Sequence, residues 1–103
     1  MPKCKLLKFG APWCGMCRVV DKNLDNFNAC DVIRYDASDD ANEEIVGKYG
    51  IRNLPTLILI DEEGAEIKRW SGVVANKEIE DTIKEYLIIR KNTTKRGADS
   101  GLA

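Results

Sequence analysis

The sequence lacks histidine, an excess of either charge and any long apolar segment. With 16 basic and 17 acidic side chains the formal net charge is −1, so bulk electrostatics favour neither nucleic acid nor an anionic membrane as a partner. No apolar run follows the charged N-terminus, so we expect neither a signal peptide nor a membrane span, and a reducing cytoplasm is the default location. The 103 residues, 44% of them apolar, suit one monomeric domain.

Four cysteines are present, and two of them have the spacing CxxC. In a reducing compartment this spacing indicates catalysis or metal binding more than a framework of structural disulfides. The motif reads Trp13-Cys14-Gly15-Met16-Cys17 and lies where a strand pattern gives way to a helical one. A cysteine in the first turn of a helix meets unpaired backbone N–H groups and the positive end of the macrodipole, which favour the thiolate. We therefore expect Cys14 to be the nucleophile of disulfide exchange and Cys17, one turn on, to be the resolving thiol.

Hydrophobic periodicity predicts alternating strands and helices along the chain. Strands are expected over 3–9, 32–35, 56–60 and 65–70, and the last two are expected to form a hairpin. Leu6 and Leu7 point to opposite faces of the first strand, which indicates a central strand covered on both sides. Helices are expected from the motif to about Asn28, before a stop at Gly50, and after a cap at Asn76. Residues 92–103 lose all periodicity, which predicts a mobile C-terminal tail after a domain of residues 1–91.

The order β-α-β-α-β-β-α, with WCxxC after the first strand and Leu54-Pro55-Thr56 opening the third, resembles the thioredoxin family. The segment YGIR at 49–52 and Gly72 after the last strand extend the resemblance from about residue 3 to about residue 91. It implies an α/β thioredoxin fold with a mixed four-stranded sheet flanked by helices. This would be a minimal core, lacking the N-terminal strand and helix of full-length thioredoxins.

The same resemblance implies a dithiol-disulfide oxidoreductase that reduces protein disulfides. Pro55 should follow a cis peptide bond and lie against the CxxC pair, where the backbone of Leu54 would bind an extended substrate strand. The resemblance also implies a substrate-binding role for four further residues: Trp13, Gly15, Met16 and Gly72. Re-reduction would come from a flavin-dependent thioredoxin reductase, linked to NADPH or to ferredoxin, and neither a bound cofactor nor a metal is expected.

Two positions depart from the family pattern. Met16 stands where thioredoxins usually have proline, which restores a backbone N–H near the Cys14 sulfur and should make the protein somewhat more oxidising. Lys8 occupies the position of the family's buried aspartate, and Asp36 aligns with a lysine on the neighbouring strand. We therefore predict a charge-swapped Lys8–Asp36 pair in which Asp36 or a neutral Lys8 assists deprotonation of Cys17. In the alternative, the Lys8 amine lies in solvent and Asp36 begins a helix.

Other functions remain open from the sequence alone. A minimal core also resembles glutaredoxins, so a glutathione-using or oxidising thiol exchanger is an alternative, although those enzymes more often have Cys-Pro-Tyr-Cys. Cys14 and Cys17 could form a four-thiolate zinc site with Cys4 and Cys30, or the fold could serve as a non-catalytic peptide-binding module. Cys4 and Cys30 begin neighbouring predicted strands, where a disulfide is geometrically conceivable and two free buried thiols are the favoured alternative.

Overall fold

Four strands form one mixed sheet in the computed structural model, which describes residues 4–99 and side chains as far as residue 89. The strands are β1 (Cys4–Gly10), β2 (Asp31–Asp36), β3 (Thr56–Asp61) and β4 (Glu66–Ser71). Their order across the sheet is β2-β1-β3-β4, with β1 parallel to β2 and antiparallel to β3. The central position of the first strand and the β3–β4 hairpin are thus confirmed, and β1, α1 and β2 form a parallel β-α-β unit.

Three helices cover the two faces of this sheet. They are α1 (Gly15–Leu24), α2 (Glu43–Tyr49), which follows a short 3-10 turn, and α3 (Asn76–Asp99). The element order confirms the predicted α/β arrangement. No helix in residues 4–99 is both long and apolar enough to cross a membrane.

The central strand β1 supplies both halves of the hydrophobic core. Leu6 packs with Val20 of α1 and Ile79 of α3 on one face of the sheet. Leu7, on the opposite face, belongs to a second cluster, against which α2 packs through Val46. This division confirms that a strand with large apolar residues at consecutive positions is buried on both sides.

Trp70 lies at the end of β4 and joins the α1–α3 side of the core. It is buried, and its indole Nε1 donates a 2.7 Å hydrogen bond to Oε2 of Glu78. Burial of the ring with its polar edge satisfied is the usual arrangement for a structural tryptophan. Trp70 therefore connects β4 to the first turn of α3.

Helix α1 ends earlier than the sequence predicts. The first helix ends at Leu24 instead of near Asn28, and single turns follow in which Phe27 N–H donates to the Leu24 carbonyl at 3.0 Å. Asparagine and aspartate are dense in this segment and compete with helical hydrogen bonds, which accounts for the earlier stop. Phe27 is nevertheless buried in the core beside α1.

Asn76 does not act as the predicted cap of α3, because it is the first helical residue. The carbonyl of Ala75 accepts from the N–H groups of Glu78 and Ile79, so Ala75 has the cap position. The Asn76 side chain instead donates a 2.7 Å hydrogen bond to the Asn23 carbonyl near the end of α1. It thereby ties the start of one helix to the end of another.

Helix α3 also continues beyond the predicted domain boundary. Residues 92–99, assigned to a mobile tail from their lost periodicity, extend α3, whereas residues 100–103 lie outside the described residues. The segment contains no proline, and adding a residue to an existing helix is far less costly than starting a new one. The loss of periodicity therefore did not mark the end of the helix, and the mobility of this segment stays a prediction.

Acidic residues lead through the short 3-10 turn into the start of α2. Asp39 accepts a 2.9 Å hydrogen bond from the Ala41 N–H through Oδ1, and Glu43 and Glu44 occupy the first turn of α2. Acidic side chains are stabilising at this end of a helix. The helix stops at Gly50, whose φ of 60° is left-handed, as the sequence predicted.

We predict that Gly50→Ala lowers the free energy of unfolding by about 1–2 kcal/mol, because a Cβ disfavours the left-handed conformation. Gly47→Ala is the matched control, since Gly47 lies inside α2 and a Cβ there meets no atom within 4 Å. That change should stabilise the protein by about 0.5–1 kcal/mol. Denaturant unfolding of both variants measures the effects, and effects of equal sign would contradict the role given to Gly50.

Candidate active site

The active-site motif lies where β1 passes into α1. Cys14 is the N-cap of α1, in extended conformation, and its N–H donates to the Ala11 carbonyl at 3.1 Å. The Cys14 sulfur accepts the backbone N–H of Cys17 at 3.2 Å. The donor is thus the N–H of Cys17. The sequence analysis expected instead the N–H of Met16, the preceding residue, near this sulfur. A free N–H at a helix start directed at sulfur favours the thiolate once the pair is reduced.

Cys14 and Cys17 form a disulfide, with 5.2 Å between their Cα atoms. Cys17 is completely buried, whereas Cys14 keeps 9% of its surface exposed. An incoming sulfur therefore meets Cys14 first. The predicted order of attack, Cys14 first and Cys17 second, stays a prediction.

Four of the predicted substrate-binding residues converge on the disulfide. Leu54 packs against Cys14 and Cys17, and the Leu54–Pro55 peptide bond is cis. Gly72 donates its N–H to the Pro55 carbonyl at 2.9 Å, and a Cβ on Gly72 would lie 3.8 Å from Met16 Cε. The motif, the Leu54–Pro55 segment and Gly72 thus lie next to one another, although they are distant in sequence.

Large apolar side chains around the disulfide are exposed to solvent. Trp13 is 72% exposed and Met16 51% exposed, and a third residue, Val73, is 47% exposed directly after Gly72. Gly15, between the cysteines, is also exposed. The sequence analysis missed Val73, although its position after Gly72 could have indicated it. Exposed apolar residues around a reactive group are suited to contact with another protein.

Lys8 is buried beneath the disulfide, with only 5% of its surface exposed. Its ammonium Nζ lies 3.0 Å from Oδ2 of Asp21 in α1. A Cβ placed on Gly10 would lie 2.5 Å from Lys8 Nζ and 3.0 Å from Cys17 Sγ. The separation of the ammonium from the Cys17 sulfur therefore cannot exceed the sum of these two distances, and the positive charge is close to that sulfur.

The predicted pair of Lys8 with Asp36 is wrong. Asp36 lies opposite Gly10 in the β1–β2 register, and its Oδ1 accepts hydrogen bonds from the Ser38 N–H at 2.9 Å and the Ser38 hydroxyl at 2.6 Å. These bonds hold the pKa of Asp36 below its usual value, and the attraction of Lys8 adds a smaller lowering. Asp36 is thus committed to the loop after β2, while Asp21 holds the ammonium.

Asp21 of α1 is a site residue that no sequence motif indicated. Its Oδ1 accepts a 3.0 Å hydrogen bond from Arg34 Nε, while its Oδ2 accepts from Lys8. Arg34 also reaches Oδ1 of Asp25 at 3.4 Å. Asp21 follows Cys17 by four residues, which places both on one face of α1, and this spacing was the available signal.

A cavity of about 340 Å3 opens between the ends of β1 and β2 and the side of α1. Its lining includes Lys8, Arg18, Asp21, Arg34 and Asp36. Water in this cavity can reach the Lys8–Asp21 pair. The two sides of the disulfide therefore differ, with apolar groups outside and charged groups beneath.

The structure does not support a four-thiolate zinc site. Cys14 and Cys17 lie beyond the C-terminal end of β1, whereas Cys4 begins that strand and Cys30 precedes β2. A seven-residue strand separates the two pairs by roughly 20 Å. Within residues 4–99, no three potential metal ligands of the histidine, cysteine or carboxylate types come together.

Comparison with known proteins agrees with this geometry. A family model described as a thioredoxin-like domain matches residues 2–87. The thioredoxin of Porphyra purpurea is 32% identical over 87 residues, covering 80% of this chain and 78% of that protein. Among solved structures, thioredoxin 1 of Thermosipho africanus aligns with a TM-score of 0.64 at 26% identity, covering 84% of this chain and 98% of that one. Fasciola hepatica thioredoxin gives 0.63 at 28% identity, covering 80% of each chain.

The chain belongs to the thioredoxin family, and its sheet and helices form the α/β fold of that family. The family, together with a Cys14–Cys17 disulfide at a helix start, identifies a protein-disulfide oxidoreductase. This outcome sets aside the zinc-binding and the non-catalytic alternatives.

We predict that Gly10→Ala displaces the Lys8 ammonium, because the new methyl group would overlap it and press on the Cys17 sulfur. The free energy of unfolding of the oxidised protein should fall by about 1–3 kcal/mol. Gly15→Ala is the control, because a Cβ at Gly15 meets nothing within 4 Å and should change this energy by less than about 0.5 kcal/mol. Equal stability of the two variants would show that Gly10 does not support the packing of Lys8.

Proposed function

We propose that this protein reduces disulfides in other proteins, with Cys14 as the attacking thiol and Cys17 as the resolving thiol. The observation that carries the proposal is the disulfide at the start of α1, in which only Cys14 can be reached from outside. In the first step, the Cys14 thiolate bonds to one substrate sulfur and expels the other as a thiolate. In the second step, Cys17 attacks the Cys14 sulfur, releasing the second substrate thiol and leaving the enzyme as its disulfide.

The first step is favoured by the position of Cys14. The Cys17 N–H that donates to Cys14 in the disulfide can donate to the thiolate in the reduced enzyme. Such a bond and the helix macrodipole stabilise negative charge at this sulfur. Cys14 should therefore be deprotonated at a lower pH than a free cysteine.

The second step needs a thiolate at buried Cys17, where desolvation disfavours charge. The Lys8 ammonium beneath this sulfur opposes that effect, since a nearby positive charge stabilises a thiolate. Asp21 holds the ammonium in place through an ion pair and is itself paired with Arg34. All three residues line the cavity. We therefore assign Lys8 to electrostatic stabilisation of Cys17 and give Asp36, bonded to Ser38, only a long-range effect.

The surface around Cys14 supports protein substrates. Trp13, Met16 and Val73 offer exposed apolar contacts, and the backbone of Leu54 before Pro55 would bind an extended substrate segment beside the sulfur. A surface of this kind suits many partners, because the methionine side chain adapts its shape. This favours a protein-disulfide reductase over an enzyme dedicated to glutathione.

The oxidised enzyme needs two electrons and two protons to start again. We propose a flavin-dependent thioredoxin reductase as their source, linked to NADPH or to ferredoxin, and a monomer acting in the cytoplasm. Thiol–disulfide exchange requires no cofactor bound to this chain, because both electrons pass directly between sulfur atoms as one disulfide bond breaks and another forms.

We predict that Cys17→Ser accumulates a mixed disulfide on Cys14, because the resolving thiol is gone while the attacking thiol remains. Insulin reduction with dithiothreitol should fall to the uncatalysed rate in both Cys14→Ser and Cys17→Ser, and mass spectrometry should find the trapped substrate at Cys14. Cys30→Ser is the control and should keep wild-type activity, since Cys30 lies at the other end of the sheet. Trapping on Cys30, or none at all, would refute the assignment.

We predict that Lys8→Met raises the pH at which the active thiols become reactive by about one unit, since it removes the charge beneath Cys17. The ultraviolet absorbance of thiolate, followed against pH in the reduced protein, measures the change. Asp21→Asn should act in the same direction by releasing the ammonium, while Asp36→Asn should have little effect.

Lys5→Met is the matched control, because Lys5 lies on the same strand with its side chain exposed. Its titration curve should match that of the wild type. If Lys8→Met and Lys5→Met titrate alike, the buried ammonium does not influence the thiols and proton transfer at Cys17 runs through water alone.

A further inference from the structure

Cys4 and Cys30 form a second pair of thiols at the end of the sheet opposite the active site. Cys4 begins β1, and Cys30 directly precedes β2. The register pairs Lys5 with Asp31, so one step back along both strands Cys4 faces Cys30. Neighbouring strands lie about 4.7–4.9 Å apart, which is within the Cα separation of about 4.4–6.8 Å that a disulfide requires.

The two side chains also point to the same face of the sheet. Leu6 and Val32 are registered partners that belong to the α1–α3 side of the core, and side chains alternate along a strand. Cys4 and Cys30, each two residues earlier, belong to that same cluster. Each thiol also influences the pKa of the other, which agrees with two sulfurs lying side by side in this cluster.

Access to the pair comes from the Cys30 side. Cys4 is buried, whereas Cys30 is partly exposed and lines an open depression of about 470 Å3 with Leu24, Phe27 and Asp31. A small disulfide can therefore reach the Cys30 sulfur, while Cys4 remains covered beneath it.

We propose that Cys4 and Cys30 are a second redox site, which a low-molecular-weight disulfide oxidises to an intramolecular disulfide. The Cys30 thiolate bonds to one sulfur of the reagent and expels the other as a thiolate. The Cys4 thiolate then attacks the Cys30 sulfur and expels the second reagent thiolate. The protein loses two electrons and two protons, and the reagent becomes two thiols. This inference is independent of the proposed function, since it involves neither Cys14 nor Cys17.

The chemistry of this pair differs from that of the active site. Burial raises the pKa of Cys4, and burial together with the neighbouring Cys4 raises the pKa of Cys30 to about 12. Asp31, next to Cys30, opposes its ionisation further, and no helix start lies at these sulfurs. The pair should therefore exchange far more slowly than Cys14–Cys17 near neutral pH, and faster as pH rises.

The new disulfide would join β1 to β2 and close a loop from residue 4 to residue 30. This loop contains the active motif and all of α1. A cross-link of this span stabilises a fold by restricting its unfolded chain. The site would thus reinforce the protein under oxidising conditions without occupying the catalytic sulfurs.

The test is disulfide mapping of the full chain after incubation with excess oxidised glutathione. We expect no free thiols and a peptide cross-link between Cys4 and Cys30, formed about tenfold faster for each unit of pH below the thiol pKa values. A variant with both Cys14→Ser and Cys17→Ser should form the same cross-link, which separates this result from any failure of the proposed function. Two persistent free thiols, glutathione retained on Cys30, or a dimer linked through Cys30 would each overturn the proposal.

A stability measurement provides the second criterion. In the oxidised state, wild type should have a melting temperature higher than that of Cys30→Ser, with a difference on the order of 10 °C. In excess dithiothreitol this difference should largely disappear. Cys30→Ala serves as the second variant, because its small apolar side chain suits the core position if serine impairs folding. If the difference in melting temperature is the same with and without dithiothreitol, it arises from packing at Cys30, and the proposed cross-link is refuted.

Discussion

The strand β1 is hydrogen bonded on both sides, to β2 and to β3, and this constraint organises the rest of the molecule. Helices cover both faces of the sheet at this strand, and the consecutive leucines Leu6 and Leu7 supply one apolar side chain to each face. Its C-terminal end leads into α1 and fixes the disulfide. The same strand thus determines the two cores and the site.

The position of Lys8 within that strand creates the main electrostatic problem of the fold. A buried ammonium without a partner is strongly disfavoured, and the carboxylate of Asp21 offsets the cost at 3.0 Å. Arg34 shares the same carboxylate, so two cations meet at Asp21, and Arg34 also pairs with Asp25 at the surface. Where the family pattern has a buried carboxylate under the disulfide, this chain places the Lys8 ammonium close to the Cys17 sulfur.

Sequence patterns were sufficient for the topology, because the side-chain periods of strands and helices are set by local backbone geometry. They also located Cys14, Cys17 and Pro55, since these residues belong to short motifs. They did not give the partner of Lys8, because strand register specifies which backbone segments are neighbours and does not specify the direction of a long side chain. In the β1–β2 register Lys8 lies opposite Arg34, and its partner comes from another element, through the rotation of α1 about its axis. The end of α1 was also missed, because asparagine and aspartate side chains compete there with helical backbone hydrogen bonds, and the spacing of apolar residues does not show this.

The two tryptophans occupy opposite environments, which has an optical consequence. Trp13 is in solvent beside the disulfide, while Trp70 is buried with its indole N–H bonded to Glu78. A disulfide quenches the fluorescence of an adjacent indole, so the long-wavelength emission of Trp13 responds to the redox state. The short-wavelength emission of Trp70 responds to the docking of α3. One emission spectrum therefore reports catalysis and folding as separate components, without any added label.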